Sequence, residues 1–123
     1  MKRILVVDDD EQLREVLADT LAQPGRAVDI ARDGSEALAL LDRNHYDLIL
    51  SDLRMPGLDG PSLYRALQAM RHKTTAPRVI FMTGHSGQGE YADFLKGTTE
   101  PMLEKPFSLA VVRQVVSVLL NER

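Results

Sequence analysis

The chain has 123 residues, 44% hydrophobic and 27% charged, with a formal net charge of −3. That is the size and balance of one globular domain (residues 1–123) whose core needs no cross-links. There is no cysteine, which excludes disulfides and Cys-based metal or redox sites. With this weak negative charge and no basic stripe, nucleic-acid binding has no electrostatic support.

The first predicted element is a strand at Ile4–Val7, a continuous apolar and β-branched run of the kind buried on both faces. It ends in Asp8, Asp9 and Asp10. Leu13, Val16, Leu17 and Leu21 then recur at helical spacing, which predicts a helix from about residue 10 to 22, with Asp10 suited to its cap. Pro24-Gly25 turns the chain into a short strand at Ala27–Ile30. Asp33 followed by Glu36 reads as a capping box opening a helix with Ala37, Leu38 and Leu41 inward. The third strand, Leu48–Ser51, stops at Asp52 and a loop holding Pro56 and Gly57. Asp59-Gly60-Pro61 starts the next helix, with proline in the first turn and Leu63, Ala66, Leu67 and Met70 as its apolar stripe.

Strand four is Arg78–Met82, ending at Thr83-Gly84. From His85 to Thr99 the pattern is weak, with Tyr91, Phe94 and Leu95 among three glycines, and a short or irregular helix is expected. Pro101–Glu104 is a brief fifth strand, followed by Lys105-Pro106-Phe107. Ser108 caps a final helix with Val112, Val115, Val116 and Leu119 inward, and Val111 and Val118 on a second strip that a partner or surrounding water would meet. No apolar run reaches membrane-spanning length, and the residues before the first strand are too few for a signal peptide, so a cytoplasmic domain with no membrane contact of its own is expected.

Strands alternating with helices through short connections imply right-handed βαβ units: an α/β fold with a doubly wound parallel sheet. Five strands suit the order 2-1-3-4-5 of the flavodoxin-like fold, in which ligands bind beyond the carboxyl ends of the strands. Those ends carry Asp8 and Asp9, Asp52, Thr83 and Lys105. Packed carboxylates repel, and Mg²⁺, a hard cation that accepts oxygen ligands and retains waters, relieves them. A lysine and a threonine beside them suit the oxygens of a phosphoryl group in transfer. A carboxylate can itself be the nucleophile and form an acyl phosphate, and Asp52, single and at a central strand end, is the candidate. Taken singly each residue also has a structural reading: Asp8 and Asp9 as helix-start acids, Thr83 as a cap, Lys105 as a surface charge. His45, His72 and His85 form no cluster, so neither a histidine metal site nor a phosphotransfer histidine is expected. His85 and Arg54 fall near the mouth of the site, where they could tune water access.

Ile4–Asp9, Asp52 with Met55-Pro56-Gly57 and Asp59-Gly60, Met82-Thr83-Gly84, and Lys105-Pro106-Phe107 lie in order across nearly the whole chain. In this the sequence resembles the receiver domain of two-component response regulators. The resemblance implies that Asp52 accepts a phosphoryl group from the phosphohistidine of a histidine kinase or histidine phosphotransfer domain. It implies that Asp8, Asp9, Asp52 and the main-chain carbonyl of Arg54 hold Mg²⁺, and that Thr83 and Lys105 bind the phosphoryl oxygens. It further implies a cis Lys105–Pro106 bond, a geometry only proline makes cheap.

Two features depart from the common pattern. Many receivers carry Tyr or Phe three residues before the lysine as a switch; Met102 stands there, flexible and without a ring. The glycine-rich 85–99 segment, with Glu100–Phe107, is more similar to receivers of hybrid sensor histidine kinases. A monomer or weak dimer is expected, with no output domain, as a single-domain regulator or an excised receiver. One rival reading is a pseudo-receiver that binds protein without phosphorylation. Another is an aspartyl phosphatase, which would want an acid two residues after its nucleophile, where Arg54 stands. A nucleotide-binding domain would need a Gly-rich loop after the first strand, and there is none.

Overall fold

The computed structural model describes residues 1–70, 77–84 and 89–122. Five parallel strands, β1 (Lys2–Val7), β2 (Arg26–Ala31), β3 (Leu48–Asp52), β4 (Arg78–Thr83) and β5 (Met102–Glu104), form one sheet in the order β2-β1-β3-β4-β5. The helices are α1 (Glu11–Leu21), α2 (Gly34–Arg43), α3 (Gly60–Ala69), α4 (Ala92–Gly97) and α5 (Leu109–Leu119), with a 3₁₀ turn at Gly89–Tyr91 before α4. The expected doubly wound order is the one observed.

Successive strand residues face opposite sides of a sheet, and that alternation builds two cores. Leu5, Val7, Ile49, Val79 and Phe81 pack with Ala37 and Leu41 of α2 and Leu63 and Leu67 of α3. Ile4, Val6, Leu48, Leu50, Ile80 and Met82 pack with Leu17 and Leu21 of α1 and Val112 and Val116 of α5. Ile4–Val7, Leu48–Leu50 and Val79–Met82 are apolar at every position because both faces of these central strands are covered. Full burial of each large aliphatic side chain contributes about 1.5–3 kcal/mol.

Helix starts follow their caps. Asp10, Asp33, Asp59 and Ser108 each accept a hydrogen bond from a first-turn N–H, those of Leu13, Glu36, Ser62 and Ala110. The α2 box closes one residue early, since Glu36 Oε1 accepts from Arg32 N at 3.2 Å rather than from the cap residue. Val16 departs from expectation: it is 43% exposed on α1, because Leu17 and Leu21, with Leu13 partly buried beside them, fill the side facing the sheet. Val111 and Val118 are exposed on α5, at 44% and 66%. In the weakly patterned segment, the described part is the 3₁₀ turn and the six-residue α4. The turn's neighbours Phe94, Phe81 and Tyr64 meet edge to face, with ring centroids 5.1–5.9 Å apart, which seats α4 on α3 and β4.

Candidate functional site

The register places the carboxyl ends of β1, β3 and β4 side by side, with Val7 opposite Ser51 and Asp52 opposite Met82. Asp8 follows β1 and is fully buried. One of its oxygens accepts from Asp10 N at 2.9 Å, and the other accepts from Lys105 Nζ at 3.1 Å. Arg14 holds the Asp8 carbonyl at 2.9 Å. Asp9 is exposed. Asp8, Asp9 and Asp52 each present an oxygen within 4.8 Å of the others.

Lys105 follows β5 through a backbone bond from its N–H to the Thr83 carbonyl at 2.7 Å, and its bond to Pro106 is cis, as expected. Its ammonium also lies 3.3 Å from Asp52 Oδ2. Burial works against that charge, but the Asp52 and Asp8 carboxylates outweigh it, so Lys105 holds its proton more tightly than an ordinary lysine. Asp52 moves in the costly direction. Burial, then the Asp8 carboxylate, pushes its carboxyl above the usual range, even with Lys105 pulling it down. One ammonium shared by two crowded acids leaves Asp52 under-compensated, and an additional cation would relieve it.

The loop after Asp52 has a steric basis. Gly57 has φ +74°, a left-handed conformation that glycine adopts without strain. At Gly60 a Cβ would stand 2.8 Å from the Asp52 carbonyl oxygen and 2.9 Å from Leu53 Cα. The start of α3 therefore lies directly on the backbone of the Asp52 strand end, joined by a bond from Gly60 N to the Leu53 carbonyl at 2.9 Å. Asp52, Thr83, Lys105, Asp9 and Arg54 line one open depression of about 730 Å³. Asp8, Asp9, Asp52, Arg54, Thr83 and Lys105 thus all border this end of the sheet. Thr83 is buried, with 6% exposure, at the last position of β4. Met102 is half-buried against the α2–α3 side of the core.

Glu90 and Tyr91 also line the depression; the sequence pattern offered Tyr91 only as part of a weak apolar stripe and gave no sign of Glu90. Glu90 pairs with Arg54, and Tyr91 donates its hydroxyl to Asp59 Oδ2 at 3.3 Å. Their place in an aperiodic segment carries no signal that would join them to the loop after β3. His45 stands at the opposite end of the sheet, 3.5 Å from Asp47, while His72 and His85 lie outside the described residues.

Fold and site together define a receiver-type domain of two-component signalling. The model of the response regulator receiver domain family matches residues 4–117, and the chain belongs to that family. It is 38% identical over 115 residues to the sensor histidine kinase RcsC of Escherichia coli, covering 94% of this chain and 12% of RcsC. It thus spans a small part of that relative's length. Among solved structures it resembles the signal receiver domain of a signal transduction histidine kinase from Syntrophus aciditrophicus, with TM-score 0.85 and 30% identity, covering 98% of this chain and 91% of that one. It also resembles the response regulator TrrA of Thermotoga maritima, solved in complex with Mg²⁺ and BeF, with TM-score 0.74 and 30% identity, covering 97% and 99%.

Proposed function

We propose that this domain is a phosphoacceptor: Asp52 takes a phosphoryl group from the phosphohistidine of a histidine kinase or histidine phosphotransfer domain. The reading is carried by one observation, that Lys105 Nζ bridges Asp8 and Asp52 while three carboxylates converge within 4.8 Å. The complex of TrrA with Mg²⁺ and BeF supports the reading by similarity.

The donor set suits a divalent cation, since three crowded carboxylates share one ammonium and Asp52 is left under-compensated. Asp8, Asp9, Asp52 and the main-chain carbonyl of Arg54 would hold Mg²⁺, which supplies positive charge against the phosphoryl oxygens and the acids. An Asp52 carboxylate oxygen attacks phosphorus. The new O–P bond forms as the N–P bond breaks, its electron pair stays on the imidazole nitrogen, and that nitrogen takes up a proton. Free histidine and an acyl phosphate on Asp52 result. Lys105, held between Asp8 and Asp52, follows the charge onto the phosphoryl oxygens, and the Thr83 hydroxyl donates to another. The module so charged signals through a protein-interaction face; among the described residues no helix is long and apolar enough to cross a membrane.

Acetyl phosphate replaces the kinase in the test. Intact mass should rise by one phosphoryl group in Mg²⁺ and not in EDTA, and not in Asp52→Asn. An unchanged wild-type mass, with no beryllofluoride binding, would leave a pseudo-receiver that works by protein binding alone.

A further inference from the structure

We propose that Arg54 is a second phosphoryl-binding cation, held away from the site by Glu90 until Asp52 carries a phosphoryl group. The inference rests on the phosphoacceptor reading of Asp52 and adds a residue whose side chain that reading leaves without a role.

Arg54 lies two residues past Asp52 and lines the same depression as Asp52, Thr83 and Lys105. Its guanidinium pairs with Glu90 across the mouth of that depression, and both side chains are largely in solvent, at 71% and 56%. Lys105 is already divided between Asp8 and Asp52, while Arg54 has a single-charge partner that water screens. A phosphoryl group on Asp52 brings close to two negative charges and three acceptor oxygens to the floor of the depression. A guanidinium engages such oxygens through paired N–H groups, which a single exposed carboxylate does not outcompete. The balance therefore tips toward the phosphoryl group, and Glu90 is released.

The far side of the latch is built to respond. Gly89, next to Glu90, has φ +78°, a left-handed conformation that glycine holds without strain, and the space where a Cβ would stand is open. Tyr91 on the other side is pinned to Asp59, whose second oxygen caps α3 by accepting from Ser62 N at 3.0 Å. Release of Glu90 thus frees the Gly89–Glu90 edge of the 3₁₀ turn while Tyr91 keeps its root on α3. With Met102 offering no ring at the position of the usual aromatic switch, this exchange of partners carries the phosphoryl signal to the segment leading into α4.

The test is a double-mutant cycle on the whole chain, with beryllofluoride as probe at saturating Mg²⁺, bound fluoride read by ¹⁹F NMR and affinity by calorimetry. Arg54→Gln should weaken beryllofluoride about tenfold, as loss of a charge-assisted contact does. Glu90→Gln, by removing the competitor, should tighten it by about two- to fivefold, and the double variant should match Arg54→Gln alone. Mg²⁺ affinity without beryllofluoride should not fall in Arg54→Gln, since the main-chain carbonyl remains and a nearby positive charge is gone. Equal beryllofluoride affinity in wild type and Arg54→Gln, or a Glu90→Gln effect that survives in the double variant, would overturn the role of Arg54 while Asp52 chemistry stands. A fall in Mg²⁺ affinity matching the loss of beryllofluoride would overturn it too. A wild-type chain that binds no beryllofluoride would remove this inference together with the phosphoacceptor reading.

Discussion

Replacing Asp52 by asparagine should abolish phosphorylation and, without metal, make the fold more stable. At an effective dielectric constant near 20, two carboxylates with oxygens no more than 4.8 Å apart repel by about 3.5 kcal/mol or more, and the Lys105–Asp52 attraction at 3.3 Å amounts to about 5 kcal/mol. Those terms largely cancel, leaving burial and the screened charge of Asp9 to decide the sign. They act against the charged form, which is why the Asp52 carboxyl sits above its ordinary range. The asparagine amide keeps an oxygen for Lys105 and removes the net charge, so a gain of about 1 kcal/mol is expected, a rise in melting temperature of about 3–6 °C for a chain this size. The raised pKa fixes the pH dependence. A carboxyl that holds its proton more tightly when folded costs nothing below its unfolded pKa, and its full cost appears once the pH exceeds the folded value. The advantage of Asp52→Asn should therefore be full at neutral pH and shrink toward zero through the acid range. Mg²⁺ should narrow it as well, by stabilising wild type more than the variant. Thermal melts in EDTA and in Mg²⁺ across pH measure all three. A variant that melts below wild type in EDTA at neutral pH would refute the reasoning.

Two further predictions concern other parts of the fold. Gly60→Ala places a methyl group 2.8 Å from the Asp52 carbonyl and 2.9 Å from Leu53 Cα, against backbone that cannot yield cheaply; denaturation should show a loss of about 2 kcal/mol or more, and Mg²⁺ titration a weaker site. Survival of both at wild-type values would mean the loop accommodates a side chain. The Tyr46 phenol, buried and donating to Asp29 Oδ2 at 2.6 Å, is pushed up to about 12, by burial first and then by Asp29; ultraviolet titration should show a late ionisation that Tyr46→Phe removes.

The elements that position the site were legible because their causes are local or periodic. Ile4–Val7 and Leu48–Leu50 had to be apolar throughout, since both faces of a central strand are covered. Asp10, Asp33, Asp59 and Ser108 marked helix starts through the short reach of their side chains. The convergence of Asp8, Asp9, Asp52, Thr83 and Lys105 followed from strand order alone. Val16 misled because an apolar residue at helical spacing is not obliged to face the sheet when its neighbours suffice. Arg26 gave no sign of its burial, since its partners, the Leu21 carbonyl at the end of α1 and the Glu122 carboxylate just after α5, are distant in sequence or belong to another element. Arg54 with Glu90, and Tyr91 with Asp59, lie in the same category: contacts between irregular segments that carry no period.

Intact-mass spectrometry after acetyl phosphate treatment is the most direct test of the central claim. The expected result is one added phosphoryl group that requires Mg²⁺, maps to Asp52 and is absent from Asp52→Asn. Wild-type labelling of the Asp52→Asn variant, or stable labelling at another residue, would contradict it.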